Sequence, residues 1–277
     1  MNASPKEQER QCAYCKGPGP FTREHVTPNF LYKRHPDQKF GYNPRADAFL
    51  EWEATVRDVC KKCNSGPLSQ LDQYGERFYL QNRCSRLFTS WKIVKVSYDY
   101  NLLLRWLLKM SFNAVRFKGE SSEFLERSVP FILKGLPLSY QSDAFIEIVR
   151  DKKIRPEEKQ FLSEQYKSLK SIESRWFRLG WILPRFISSH FIGRFVGIQA
   201  FYFYVFLFSP DCSIQTRDKV LEICLEEIRQ AIRLAPDRQQ VSIPVSNRTV
   251  LDVYEDQAKK LMPKWLLYQA TLQPKKN

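Results

Sequence analysis

The sequence predicts an α+β protein, and three observations carry that expectation. Residues 191–208, FIGRFVGIQAFYFYVFLF, have the aromatic and β-branched composition of buried strand. Residues 102–117, LLLRWLLKMSFNAVRF, read as a mostly buried helix. Two C-x-x-C pairs, Cys12 with Cys15 and Cys60 with Cys63, bracket turn-rich and strand-like sequence, which marks a metal-stapled module. That module is expected over residues 1–90, followed by a larger α+β domain over 91–277.

In chain order, Gly17-Pro18-Gly19-Pro20 after the first cysteine pair is a turn signal. FLEWEATVRDVC at 49–60 alternates enough apolar and β-branched residues to form a strand. A helix is expected after Asn64, with Leu68, Leu71, Tyr74 and Phe78 near helical spacing and Pro67 tolerated in its first turn. The module thus runs knuckle, strand, loop, strand, second knuckle, helix. Beyond it, the helix at 102–117 is followed by a charged amphipathic helix at 156–172 and a strand at about 178–183. The run at 191–208 follows the Pro184 break and divides into two strands joined near Gln199-Ala200. A helix at 217–234 takes Thr216 as its N-cap and stops before Pro236. VSIPV at 241–245 suits a sheet edge, because Pro244 has no ladder N–H to donate.

The chain is long enough, at 277 residues, to bury a core without disulfide staples. Ten glycines and 16 prolines exclude collagen-like and low-complexity architectures. Its 44 Lys+Arg against 30 Asp+Glu leave a formal charge of +14, which favours a polyanionic partner, nucleic acid or an anionic membrane face. The run at 191–208 approaches the length of a membrane span, but Arg194 and Gln199 interrupt it, so no membrane anchor is expected.

Seven cysteines are an odd number for a disulfide framework, and the polar, charged residues 1–11 do not read as a signal peptide. A reducing, cytoplasmic location is therefore expected, where paired C-x-x-C motifs more often hold metal than form disulfides. Cys12, Cys15, Cys60 and Cys63 supply the four soft thiolates of a closed tetrahedral structural zinc site. A redox pair or ordinary buried cysteines are the competing readings. Two pairs, each beside turn or basic residues (Lys16-Gly17, Lys61-Lys62), favour zinc.

Between the knuckles runs Thr22-Arg23-Glu24-His25-Val26-Thr27-Pro28-Asn29-Phe30-Leu31, and Asn64-Ser65-Gly66 directly follows the second. This ordered combination, over about residues 12–78, resembles the HNH endonuclease family, built on a ββα-metal finger, in its variants with Asn at the last signature position. The resemblance implies His25 as general base, Glu24 and Asn64 as holders of a catalytic Mg2+ or Mn2+, and zinc as the brace that brings strand and helix together. It implies phosphodiester hydrolysis in nucleic acid, with double-stranded DNA the expected substrate and RNA open, and a setting such as phage defence or a mobile element. One imidazole near its ordinary pKa suits water activation, and oxygen ligands suit a hard divalent ion.

The chain departs from that signature at its middle Asn. Residues 51–59 hold none, and Asn43 is distant. Asp72, two helical turns beyond Asn64, could approach the metal but reads rather as a solvated or capping residue, His35 as a loop residue and His190 as a strand-end residue. Arg23, Lys33, Arg34, Arg45, Arg57, Lys61 and Lys62 lie near the site in sequence and suit phosphate contacts. No motif in residues 91–277 names a job, and a protein partner there is an open expectation. The alternative reading, from another class, is a zinc-finger nucleic-acid-binding protein that kept the scaffold without cutting.

Overall fold

The computed structural model describes residues 10–36, 40–43, 48–51, 53–89, 92–153, 171–172, 177–181, 190–228 and 230–249. The N-terminal part is a hairpin followed by a helix. Strand β1 (Phe21–His25) pairs antiparallel with β4 (Thr55–Cys60). Between them lie helix α1 (Asn29–Arg34) and a separate antiparallel pair, β2 (Phe40–Asn43) with β3 (Ala48–Glu51). The expected single strand over 49–60 is therefore two strands. β3 folds back on β2, whereas from Ala54, whose carbonyl accepts from Val26 N at 2.8 Å, the chain follows β1.

After β4 come a single turn α2 (Lys61–Cys63), a wider π-type turn over Asn64–Leu68, and α3 (Ser69–Gln81). The wide turn sits where the chain must break helical form: Gly66 lies at φ −101°, ψ −110°, and Pro67 behind it disfavours helical geometry in its predecessor. Leu68, Leu71, Tyr74 and Phe78 are buried on one side, as their spacing requires.

The larger sheet has seven strands. Its order is β5 (Ile93–Ser97), β13 (Gln240–Thr249), β6 (Gln141–Arg150), β11 (Phe201–Phe208), β10 (Phe191–Ile198) and β9 (Phe177–Trp181), with β12 (Ile232–Arg233) also on β6. A short separate pair joins β7 (Lys152–Lys153) to β8 (Ser171–Ile172). β10 and β11 form a hairpin whose turn is Gln199-Ala200, with Gln199 at φ +58°, and every residue of both strands is buried. No helix among the described residues is long and apolar enough to cross a membrane.

Helix α4 (Tyr100–Lys118) is the beam between the two parts. Asp99 caps its start by accepting from Leu102 N at 2.9 Å, and Gly119 at φ +73° ends it in the left-handed region. One side of α4 meets α3 and β4, and another meets β9, β10 and β11. Phe78 of α3 completes the joint with Phe201 and Phe203 at centroid distances of 6.5 and 5.7 Å. The buried apolar residues from Cys12 to Val245 form one continuous cluster. Two short helices, α5 (Glu123–Arg127) and α6 (Val129–Lys134), follow α4, and α7 (Ile214–Glu227) follows β11.

Three expectations need correction here. Helix α7 begins three residues early because Ser213, in extended conformation, takes the capping role and accepts from Thr216 N at 3.1 Å. It also ends at Glu227, since Ile232 and Arg233 add to β6 as β12. β13 is an inner strand rather than an edge. It pairs with β5 through Pro244 and with β6 from Val245 onward, so the proline falls where the strand changes partner and no ladder N–H is needed. Residues 156–170 of the expected amphipathic helix lie outside the described residues, and Ser171–Ile172 are strand.

Candidate functional site

The first knuckle is a tight turn. Cys12 N donates to Gly17 O at 2.8 Å, Lys16 N donates to Cys12 O at 2.9 Å, and Lys16 itself sits at φ +59°. The second knuckle arrives beside it because the β1–β4 register sets Phe21 opposite Cys60. The four sulfurs of Cys12, Cys15, Cys60 and Cys63 lie within 4.8 Å of one another, close enough to hold a metal ion. Cys15 and Cys60 are 3.6 Å apart. Tetrahedral ligands at about 2.3 Å from zinc would stand roughly 3.8 Å from each other, so the set is compatible with structural zinc.

Backbone groups already face these sulfurs. Cys60 N donates to Cys12 Sγ at 3.3 Å and Cys63 N to Cys60 Sγ at 3.5 Å, the bonds a thiolate ligand accepts. Burial pushes Cys60 and Cys63 up, the neighbouring sulfurs adding to it at Cys63. Burial opposes ionisation at Cys12 too, but N–H donors from Cys15, Cys60 and Tyr14 outweigh it and bring that thiol down to about 7. Sulfurs this crowded can all ionise together only around a cation.

The hairpin presents the expected catalytic residues on opposite sides of one strand. Neighbouring residues of β1 alternate, so Glu24 turns inward, 4% exposed, while His25 is partly exposed. A bulge lies alongside: between the pairs Thr22 with Val59 and Glu24 with Val56, β4 sets Arg57 and Asp58 against Arg23 alone. His25 Nε2 lies 3.0 Å from Glu53 Oε2. An ionised carboxylate only accepts, so Nε2 is the donor, and in the neutral ring Nδ1 is then the proton acceptor.

Asn64 joins the helix side to β1. Its Nδ2 donates to Thr22 Oγ1 and to Arg23 O, both at 2.8 Å. A carbonyl can only accept, which fixes the amide and leaves Oδ1 with no partner among the described residues. Glu24 is held from the other side by α4. Lys109 Nζ lies 2.6 Å and Asn113 Nδ2 3.3 Å from the same oxygen, Oε1. Among the described residues Oε2 has no partner.

Lys109 is fully buried and also lies 2.6 Å from Asp72 Oδ1. The ammonium thus stands between two carboxylates at short range, as a buried cation requires. Burial pushes Glu24 up, with Lys109 opposing it. Burial alone would lower Lys109, but the carboxylates of Asp72 and Glu24 raise it. Asp72 also accepts from Trp106 Nε1 at 3.3 Å, so it belongs to the α3–α4 joint. His35 bonds Tyr79 OH at 2.6 Å, and His190 stands 3.5 Å from Asp211 in an exposed pair. Arg34 is tied to Glu76 at 2.8 Å, Arg23, Lys33, Arg57, Lys61 and Lys62 are exposed, and Arg45 lies outside the described residues. Asn43 ends β2 opposite Ala48.

Glu53, Lys109 and Asn113 were absent from the sequence-based site. Lys109 and Asn113 had a signal: two polar residues four apart within the mostly apolar stretch 106–115 share a face and need a buried partner. Glu53 had none, since its relation to His25 is made by the pairing of β1 with β4. Among the described residues the four cysteines are the only group of three or more His, Cys, Asp or Glu side chains close enough to share an ion. Comparison with protein-family models, with curated proteins and with solved structures finds no match to this chain.

Proposed function

We propose that the chain is a divalent-metal-dependent endonuclease of the HNH type, hydrolysing phosphodiester bonds in nucleic acid, with DNA as the first substrate to test. The observation that carries this reading is the Asn64 amide. It is bonded to β1 at Thr22 and Arg23, immediately before Glu24 and His25, and its carbonyl oxygen has no partner among the described residues. Cys12, Cys15, Cys60 and Cys63 would hold one zinc, which fastens the start of β1 to the start of the helix. Glu24 Oε2 and Asn64 Oδ1 would hold Mg2+ or Mn2+. Two unpartnered oxygens suit an ion that keeps several waters. When bound, that ion supplies charge neutralisation at the scissile phosphate and the leaving 3′ oxygen.

The chain's own residues do the rest. His25 takes the proton of the attacking water at Nδ1, while Glu53 holds the ring at Nε2 and stabilises the imidazolium that forms. Arg23, Arg57, Lys61 and Lys62, exposed around the hairpin and the second knuckle, meet phosphates without regard to sequence. Free thiols and a thiolate site suit a reducing compartment, and the cytoplasm is the proposed location.

A second reading has two observations in its favour, the first being that Glu24 is buried on one side of β1 while His25 faces the other. The second is that Lys109 already meets the charge of Glu24, as a binding protein that had lost the catalytic ion would require. Incubating purified protein with plasmid DNA, with and without Mg2+ or Mn2+, separates the two. Metal-dependent nicking or linearisation is expected. Retarded but uncut DNA under every metal would establish the binding-only protein instead.

A further inference from the structure

One side chain outside the hairpin touches both Glu24 and His25. Asn113 lies on α4, fully buried, one turn beyond Lys109. Its Nδ2 donates to His25 O at 3.0 Å and to Glu24 Oε1 at 3.3 Å. Its Oδ1 accepts from Tyr14 OH at 2.7 Å. The orientation of the amide is not free. The carbonyl of His25 and the carboxylate of Glu24 can only accept, so the NH2 group must face them and the oxygen must face the tyrosine. Both N–H groups are used, and the amide is fully buried.

We infer that Asn113 is a positioning residue for the candidate centre, setting the Glu24 carboxylate and the His25 main chain relative to each other. This rests on the endonuclease reading above. β1 by itself fixes the two side chains only to opposite faces of a strand. Ladder bonds with β4 run through the register Glu24 with Val56 and His25 with Thr55, next to a bulge where pairing is irregular. Asn113 adds a bond from outside the sheet at that end. The same peptide group donates on its other side, Val26 N to Ala54 O at 2.8 Å, so the chain at His25 is pinned from two directions. On Glu24, Asn113 and Lys109 converge on Oε1 and leave the other oxygen to a ligand. A general base and a metal ligand must hold their relative placement to well under an ångström, and a rigid buried helix is the right element to impose it.

The test compares Asn113→Ala and Asn113→Asp with the full-length wild-type chain on plasmid DNA, measuring kcat, KM and the Mn2+ concentration at half-maximal rate. Asn113→Asp keeps the shape and the acceptor for Tyr14 and loses both donors. Leu107→Ala is the control for stability alone, because it opens a hole in the buried side of α4 and removes a side chain that has no hydrogen bond to give Glu24 or His25. Both Asn113 variants are expected to lose about 10- to 100-fold in kcat. Their KM for DNA and zinc content should stay as in the wild type, and the Mn2+ midpoint should rise. Leu107→Ala should melt earlier yet keep kcat within about threefold at a temperature where it is folded. An Asn113→Asp protein that folds, cuts at the wild-type rate and keeps the Mn2+ midpoint overturns the positioning role and leaves the endonuclease reading standing. The role is equally overturned if kcat in the Asn113 variants falls only in step with melting temperature, as in Leu107→Ala. A wild-type protein that cuts nothing under any metal overturns the reading itself, and the positioning role with it.

Discussion

His25 Nε2 and Glu53 Oε2 stand 3.0 Å apart across the open end of the β1–β4 hairpin, each side chain partly exposed. The carboxylate accepts from one ring nitrogen and would leave Nδ1 as the base in the proposed mechanism. His25→Ala should therefore abolish cleavage, losing about 10² to 10⁴ in rate, with zinc content and DNA affinity unchanged. Glu53→Gln keeps a hydrogen bond but not the charge that stabilises the imidazolium, and about a tenfold loss in kcat is expected. Plasmid-nicking rates at saturating Mn2+ check both. Wild-type rates in His25→Ala would remove the imidazole from the mechanism.

The four-cysteine cluster makes a separate prediction. Purified protein should carry one zinc per chain by elemental analysis, and any one of Cys12→Ser, Cys15→Ser, Cys60→Ser or Cys63→Ser should lower that content and the melting temperature. Structural zinc contributes about 10–16 kcal/mol of apparent binding free energy in small fingers at pH 7, so a strong chelator should loosen the hairpin first. Protease protection of residues 10–36 and 53–81 is the readout. Zinc-free protein with undiminished protection would show that the cysteines serve only as packed core.

What could be read from the chain alone follows from the range of the physics involved. C-x-x-C spacing is local, and its consequence, two knuckles meeting, needs only that the intervening strands pair. The β10–β11 hairpin was legible because eighteen residues of aromatic and β-branched sequence have few other ways to be buried, and a polar Gln199 marks the turn. α4 was legible from its apolar run. Contacts between distant residues were not. Asn113 meets His25 across 88 positions, and Lys109 meets Glu24 only because α4 packs on the hairpin. The start of α7 was missed because Ser213 and Thr216 are both good caps, and tertiary context chose the earlier one.

Gly75 shows how closely α3 and α4 approach. A methyl group there would stand 2.2 Å from the Trp106 ring, in the middle of a fully buried side chain. Alanine is the better helix former by about 1 kcal/mol, so propensity alone predicts that Gly75→Ala stabilises. Overpacking costs about 1–3 kcal/mol and should win, because neither helix can retreat without opening the core. Urea denaturation should show a lower midpoint for Gly75→Ala.

Lys109 makes the strongest stability prediction. It is fully buried between Glu24, whose side chain is 5% exposed, and Asp72 at 26%. Lys109→Met fills the same space but leaves two carboxylates facing each other without their cation. Breaking a buried pair in this way costs about 3–5 kcal/mol, because the uncompensated charges stay behind in a poorly solvated place. Neutralising those partners should restore most of the loss: Lys109→Met with Glu24→Gln and Asp72→Asn is expected to be within about 1 kcal/mol of wild type or better, as hydrophobic replacements of buried ion pairs often are. That triple variant also lacks the Glu24 carboxylate, so it should be stable and inactive together. If Lys109→Met alone melts like the wild type, the ammonium does not hold Glu24 and Asp72 in solution. Oε1 of Glu24 would then be held by the Asn113 amide alone.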